Sequence, residues 1–300
     1  MLRICMVRCL SSKVREGVMA CFVENVNNRT VASATRGVLR RFGWVFLVCM
    51  LGISALWADD ACRVSPDVLE IHKVDFVYDG DTVRLSNGDR VRLIGIDTTE
   101  RGYDRGPSEP FAEEATEALK SIIAAHGGKV GLVDGVESHD RFGRRLAYLH
   151  TPEGDSIEAE LLRQGLAMAV YIAPNTDRAA CFQAVEAEAR ARGLGIWSLD
   201  LFEPGIPTVN GIPDEVEGAG IVYGKVVSVG ESQRNIWINL EGRVALRLDK
   251  HEGDLLEGRN PDDLVGQTLR ARGWIIENRN QYQDWMISIT SPYSIEYLDE

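Results

Sequence analysis

The chain has 300 residues, 45% hydrophobic and 26% charged, with a formal net charge of -12. This length suffices for two modest domains, and the balance excludes a disordered or collagen-like chain. The acidic surplus also argues against tight, nonspecific coating of a nucleic-acid duplex, which needs a basic face.

The first 58 residues hold eight basic residues against Glu16 and Glu24. Within them Arg40 and Arg41 precede an uncharged run of 17 residues, Phe42 to Ala58, and Asp59 and Asp60 come next. A basic stretch, an apolar stretch and a small residue at Ala58 read as a secretory signal, so residues 1–58 are expected to be a leader removed on export to the periplasm or the medium. Translation is expected to begin near Val38 or Leu39. The alternative is an uncleaved leader that anchors the protein in the membrane, since 17 residues sit at the lower edge of what spans a bilayer. Without the leader, 25 basic and 43 acidic residues remain of the 33 and 45, a net charge of -18. Four of the six cysteines fall in the leader, leaving Cys62 and Cys181, which an exported protein can join as a disulfide. With no CxxC pair and scattered histidines, a structural zinc site is not expected.

From His72 the sequence reads as strands. Two alternating runs flank Ser86-Asn87-Gly88-Asp89, and Asn-Gly between such runs signals a hairpin. A helix comes next, with Ser108 as its N-cap, Glu109, Glu113 and Glu114 near its positive end, and Gly127-Gly128 as its stop. Lys129 to Val133 and Arg144 to His150 read as strands. Asp155 and Glu158 then offer the start of a short helix ended by Gly165, and a third helix runs from about Asp177 to Arg192. Residues 72–200 thus form a β-β-β-α-β-β-α-α unit, a small barrel carrying helices and α+β in class. Residues 201–218, rich in Pro, Gly and acids, read as a linker. Five strand candidates between Gly220 and Ile289 suggest a second, smaller OB-like β-barrel over 219–300.

Asp79 and Asp81 are two apart and project from one face of an extended strand, an oxygen-rich corner suited to a hard cation. The next strand ends in Asp97, Thr98 and Glu100. Strict alternation puts Arg92 and Asp97 on opposite faces, so if both serve one site the strand must bend or end between them, which Gly95 permits. The stretch Asp140 to Tyr148 adds Gly143 for a tight approach and Arg144, whose fork suits phosphate oxygens.

Gly80-Asp81-Thr82, then Arg92-Leu93 through Asp97-Thr98-Thr99-Glu100, then Asp140-Arg141-Phe142-Gly143-Arg144-Arg145-Leu146-Ala147-Tyr148, then Leu161 to Ala167, then Gly195-Ile196-Trp197-Ser198, occur in an order and spacing that resemble the staphylococcal nuclease family. The resemblance implies a five-stranded OB-type barrel with three helices and Ca²⁺-dependent hydrolysis of DNA and RNA phosphodiesters, with Mg²⁺ as the alternative cation. It implies that Asp81, Asp97 and the carbonyl of Thr98 ligate the metal, with Asp79 acting through water. Glu100 is implied to orient or deprotonate the attacking water, Arg92 and Arg144 to bind the phosphate, and Arg141, Phe142 and Tyr171 to contact the nucleotide. The chain departs from the family pattern at Thr99, where Pro is usual and whose absence loosens the loop carrying Glu100, at Phe142 in place of Tyr, and at Ala173 where a tyrosine is expected. The expectation is a monomeric, exported nuclease acting on DNA, RNA or both. A noncatalytic nucleic-acid- or protein-binding module on the same fold is the alternative.

Overall fold

The computed structural model describes residues 61–102, 106–213, 216 and 218–299. The leader, whether signal or anchor, lies outside the described residues; among those described, no helix is long and apolar enough to cross a membrane.

In chain order the first part comprises β1 (Glu70–Val77), β2 (Thr82–Leu85), β3 (Arg90–Leu93), β4 (Ile96–Asp97), α1 (Ala112–Ala125), β5 (Lys129–His139), β6 (Arg145–His150), α2 (Ile157–Arg163), β7 (Met168–Ala169) and α3 (Ala179–Ala191). Five strands close a barrel in the order β1-β2-β3-β6-β5, with β3 and β6 parallel. Period-two patterning decides which face turns inward. Val83, Leu85, Val91 and Leu93 are buried in the core, and Thr82, Arg84, Arg90 and Arg92 therefore lie on the outer face.

Helix α1 starts later than expected. Its N-cap position is Phe111, with φ 68°, and the Ser108 hydroxyl instead accepts from the Gly102 N–H and donates to Glu113. For α2 the cap is Ser156, whose Oγ accepts from the Ala159 N–H at 3.2 Å, while Glu158 accepts from the Leu149 N–H at 2.6 Å. Cys62 and Cys181 form a disulfide that ties the start of the described chain to α3, across a sequence separation of 119 residues.

The segment after Leu201 contains β8 (Ile206–Pro207), paired in parallel with β9 (Gly218–Glu231), and a buried Thr208. Then come β10 (Asn235–Leu240), β11 (Val244–Asp249), β12 (Thr268–Glu277) and β13 (Trp285–Ile289), with β14 (Ile295–Tyr297) at the end. The pairings run β9-β10-β11-β13-β12, and β12 returns to β9 to close a second ring. Its one internal parallel pair, β11 with β13, holds the same place as β3 with β6 in the first barrel. The α+β class, with an OB-type barrel bearing three helices and a second OB-like barrel, is what the sequence patterning and the family resemblance together indicate.

A buried ion network joins the two barrels. Arg272 on β12 donates to Glu186 on α3 at 2.6 Å and to the Ala169 carbonyl at 3.1 Å. Arg190 on α3 reaches Glu296 and Glu203, and Arg270 reaches the same two acids. Charges this deeply buried persist only when paired, so the network fixes how the two barrels meet.

Candidate active site

The site is built on the outer face of β2 and β3, where the strands give way to loops. Gly80 is required between the two acids that flank it. A Cβ there would stand 2.7 Å from Ala115 Cβ and 2.8 Å from Thr98 Cγ2, so α1 and the loop after β4 close over this turn only because no side chain is present. The Asp81 N–H donates to Asp79 Oδ1 at 3.1 Å, which folds the pair into one corner.

Asp81 organises the groups around this corner. Its Oδ2 accepts from the Thr98 N–H at 3.0 Å and from the Thr98 hydroxyl at 3.1 Å and forms an ion pair with Arg92 Nη1 at 3.1 Å, and its Oδ1 accepts from the Thr82 hydroxyl at 3.1 Å. The expected bend is present: β3 stops at Leu93, Gly95 takes φ +84°, and β4 restarts at Ile96. Arg92 Nη2 thereby reaches Asp97 Oδ1 at 2.5 Å, and its Nη1 also donates to the Leu93 and Ile96 carbonyls at 2.6 and 3.0 Å. The loop bearing Glu100 is held at both ends. The Thr99 hydroxyl donates to the Pro110 carbonyl at 2.8 Å, so the loop is anchored where loosening was expected. The Glu100 N–H donates to Glu109 Oε2 at 2.8 Å, and the Glu109 N–H returns a bond to the Glu100 carbonyl at 2.9 Å.

Arg144 enters from the loop before β6. Asp140 Oδ1 accepts from the N–H groups of Phe142 and Arg144, both at 2.9 Å, and Asp140 Oδ2 accepts from Arg144 Nε at 2.6 Å. This fixes the guanidinium stem. Phe142 stands 71% exposed beneath the Arg141 guanidinium, 4.8 Å from ring centre to charge.

Burial, then the charge of Asp81, pushes the Asp79 carboxyl up to about 7. Burial also raises Asp97, against the pull of Arg92. Glu100 is raised by burial and by Asp81, while Arg92 and Arg144 pull it down. Four carboxyl groups around one half-buried guanidinium crowd more acid than a single positive charge balances, and their hard oxygen donors fit Ca²⁺ or Mg²⁺. Among the described residues no three carboxylate, imidazole or thiol side chains converge to hold an ion unaided. A cation here would draw its remaining ligands from water, backbone carbonyl and phosphate.

Arg92, Asp79, Asp81, Asp97 and Thr98 are thus brought together, with Glu100 on the loop after Thr98, and Arg141, Phe142 and Arg144 share the loop before β6. Tyr171 is placed differently. It is 5% exposed, packs 5.7 Å from the Tyr293 ring and lies under Arg272, so it belongs to the junction with the second barrel and presents no open face to a nucleotide. The sequence pattern alone ties Glu109 only to the helix dipole and gives Asp140 no role. Asp140 lies four residues before Arg144 in a Gly-containing turn, a spacing that could have suggested the tether.

The model of the staphylococcal nuclease homologue family matches residues 90–199, a span that includes Arg92, Asp97, Glu100 and Arg144 and begins after Asp79 and Asp81. The SPbeta prophage-derived endonuclease YokF of Bacillus subtilis (strain 168) is 35% identical over 130 residues, which cover 42% of this chain and 43% of that protein. Endonuclease YncB of the same organism is also 35% identical over 130 residues, covering 42% of this chain and 60% of that protein. The thermonuclease of Staphylococcus intermedius is 31% identical over 131 residues, covering 43% of this chain and 76% of that protein. The chain therefore spans less than two thirds of either Bacillus relative. With its similarity to a thermonuclease extending over three quarters of that protein's length, the chain belongs to the staphylococcal nuclease homologue family.

Proposed function

We propose that the protein is an exported, Ca²⁺-dependent nuclease that hydrolyses phosphodiester bonds of DNA, RNA or both. The observation that carries this reading is the corner where Asp79, Asp81, Asp97 and Thr98 gather around Arg92, with Glu100 on the loop that follows. A divalent cation, which Asp81, Asp97 and the Thr98 carbonyl would hold with Asp79 acting through water, would supply Lewis acidity for a phosphate oxygen.

The chain's own residues do the rest. Arg92, held in place by Asp81, Asp97 and two carbonyls, is preorganised positive charge for the phosphate as it gains negative charge. Arg144 is tethered through Nε, and its two terminal nitrogens, bonded to no other described residue, are available to fork onto phosphate oxygens. Glu100, raised by burial, holds the attacking water and takes its proton. Export is supported by the uncharged run behind Arg40-Arg41 and by the Cys62–Cys181 disulfide, a bond that persists in oxidising compartments.

One observation favours the second reading, a noncatalytic binding module: Arg92 is already satisfied by Asp81 and Asp97, as in a structural ion network. A plasmid-nicking assay of purified protein with Ca²⁺ separates the two. The nuclease reading expects nicking that chelator abolishes; intact plasmid at all Ca²⁺ and Mg²⁺ concentrations would leave the binding module.

A further inference from the structure

The short ribbon of β4 and β7 is held from both sides by arginines. It forms a two-stranded sheet of its own, with Ile96 opposite Ala169 and Asp97 opposite Met168. In an antiparallel ladder, opposite residues that do not bond each other turn their N–H and C=O groups outward. Ile96 and Ala169 are such a pair. The Ile96 carbonyl accepts from Arg92 Nη1 at 3.0 Å, and the Ala169 carbonyl accepts from Arg272 Nη1 at 3.1 Å. The Ala169 N–H donates to Glu186 Oε1 at 2.6 Å, and Glu186 Oε2 accepts from the same Arg272 nitrogen at 2.6 Å. An ion pair thus satisfies the outer edge of β7, where a third strand would otherwise be needed.

Half of that ion pair belongs to the second barrel. Glu186 is 1% exposed and Arg272 4%, so neither charge can turn to water, and each depends on β12 being docked against α3. Packing backs the contact: Met168 and Val170 share a buried cluster with Ile221 of β9, and Phe111 and Ala219 pack against it. Phe111 follows Pro110, whose carbonyl anchors Thr99. The second barrel therefore bears on the strand that carries Asp97 and on the helix start that braces the Glu100 loop. Arg270 offers a contrast on the same face of β12. Its bonds among the described residues go to Glu203, Glu296 and the Pro204 carbonyl, none of them on β7.

We propose that Arg272 is a positioning residue supplied by the second barrel: by holding Ala169 and Glu186 it fixes the β4–β7 ribbon, and with it the placing of Asp97 for a divalent cation. This rests on the cation role of Asp97 in the nuclease reading, and it gives the second barrel a part in that site.

The test uses the full chain and two readouts, Ca²⁺ affinity by titration calorimetry and amide hydrogen exchange with chelator present. Arg272→Lys keeps a positive charge beside Glu186 but does not reproduce the planar fork that spans Glu186, Glu296 and the Ala169 carbonyl. It is expected to weaken Ca²⁺ binding about tenfold or more, the loss typical when a group that orients a metal's ligand is replaced. It is also expected to speed exchange at the Thr98 and Val170 N–H groups, which bond Asp81 and the Gly95 carbonyl. Glu186→Gln combined with Arg272→Met leaves neither partner charged and is expected to give the same two changes, which covers a failure of the lysine variant to fold. Arg270→Lys loosens the same junction, yet it is expected to keep Ca²⁺ affinity within about twofold of wild type and to leave those amides unchanged. The proposal is overturned if the Arg272 variants keep either the wild-type Ca²⁺ affinity or the wild-type exchange, or if Arg270→Lys shows the same losses. Wild type that binds no Ca²⁺ would tell against the nuclease reading. Faster exchange confined to the Arg272 variants would then still uphold the grip on the ribbon, and unchanged exchange would overturn it.

Discussion

Arg92 and Asp97, which strict strand alternation would set on opposite faces, meet at 2.5 Å because the chain breaks and turns at Gly95 between them. The same guanidinium holds Asp81 through its other terminal nitrogen at 3.1 Å. Both carboxylates are therefore oriented by one planar fork, which a lysine cannot reproduce. Arg92→Lys is accordingly expected to lower the rate of cleavage by on the order of 10², a typical loss for one transition-state contact. Steady-state cleavage of a labelled oligonucleotide checks this, and a variant within about threefold of wild type would remove Arg92 from its role.

The acid corner can be probed without catalysis. A ligand that binds only the folded chain stabilises it by about 2.7 kcal/mol at 100 times its dissociation constant. Saturating Ca²⁺ is therefore expected to raise the melting temperature by several degrees in wild type. In Asp81→Asn or Asp97→Asn the rise is expected to shrink or vanish. Equal shifts in all three proteins, read by scanning calorimetry, would place the cation elsewhere.

The disulfide spans 119 residues between Cys62 and Cys181. Closing so long a loop restricts the unfolded chain, an effect worth about 2 to 5 kcal/mol. Cys62→Ser is expected to lower denaturation stability by that order, and reductant is expected to destabilise wild type but leave the variant unchanged. A wild-type denaturation curve that reductant does not move would mean the bridge contributes nothing.

His150 is buried, and that burial together with the nearby Arg178 charge pushes its pKa down to about 4. Its unfolded value is near 6.5, so the unfolded chain binds the extra proton between these limits. The stability this site contributes is thus fully present above about pH 6.5 and is lost as pH falls toward 4, about 3 kcal/mol in all. Glu158, raised by burial to about 8, works in the opposite direction between about 8 and 4.5. The difference in stability between wild type and His150→Gln isolates the histidine. That difference should change steeply between about pH 6.5 and 4, and a flat curve would show that the imidazole is not held neutral by the fold.

Much of this is legible in the sequence because it is local. Alternation of Val83, Leu85, Val91 and Leu93 fixes the barrel face, Asn87-Gly88 fixes the hairpin, and Gly95 marks the bend that brings Arg92 to Asp97. The features that are not legible depend on contacts distant in sequence. Ser108 reads as a cap but bonds Gly102 and Glu113, because the loop bearing Glu100 folds back over the helix start. Thr99 reads as a loosened proline position, yet its hydroxyl finds the Pro110 carbonyl. Tyr171 reads as a surface contact until the second barrel arrives, when Arg272 and Tyr293 cover it, and no pattern around Tyr171 announces residues so far along the chain.

The central claim is that Glu100 and Arg144 act on one phosphate. Single-turnover cleavage of a labelled oligonucleotide by wild type, Glu100→Gln and Arg144→Ala, each shown to be folded by its melting curve, tests it most directly. Each variant is expected to lose on the order of 10² or more in rate while keeping the wild-type fold. Rates near wild type in both variants would contradict the account.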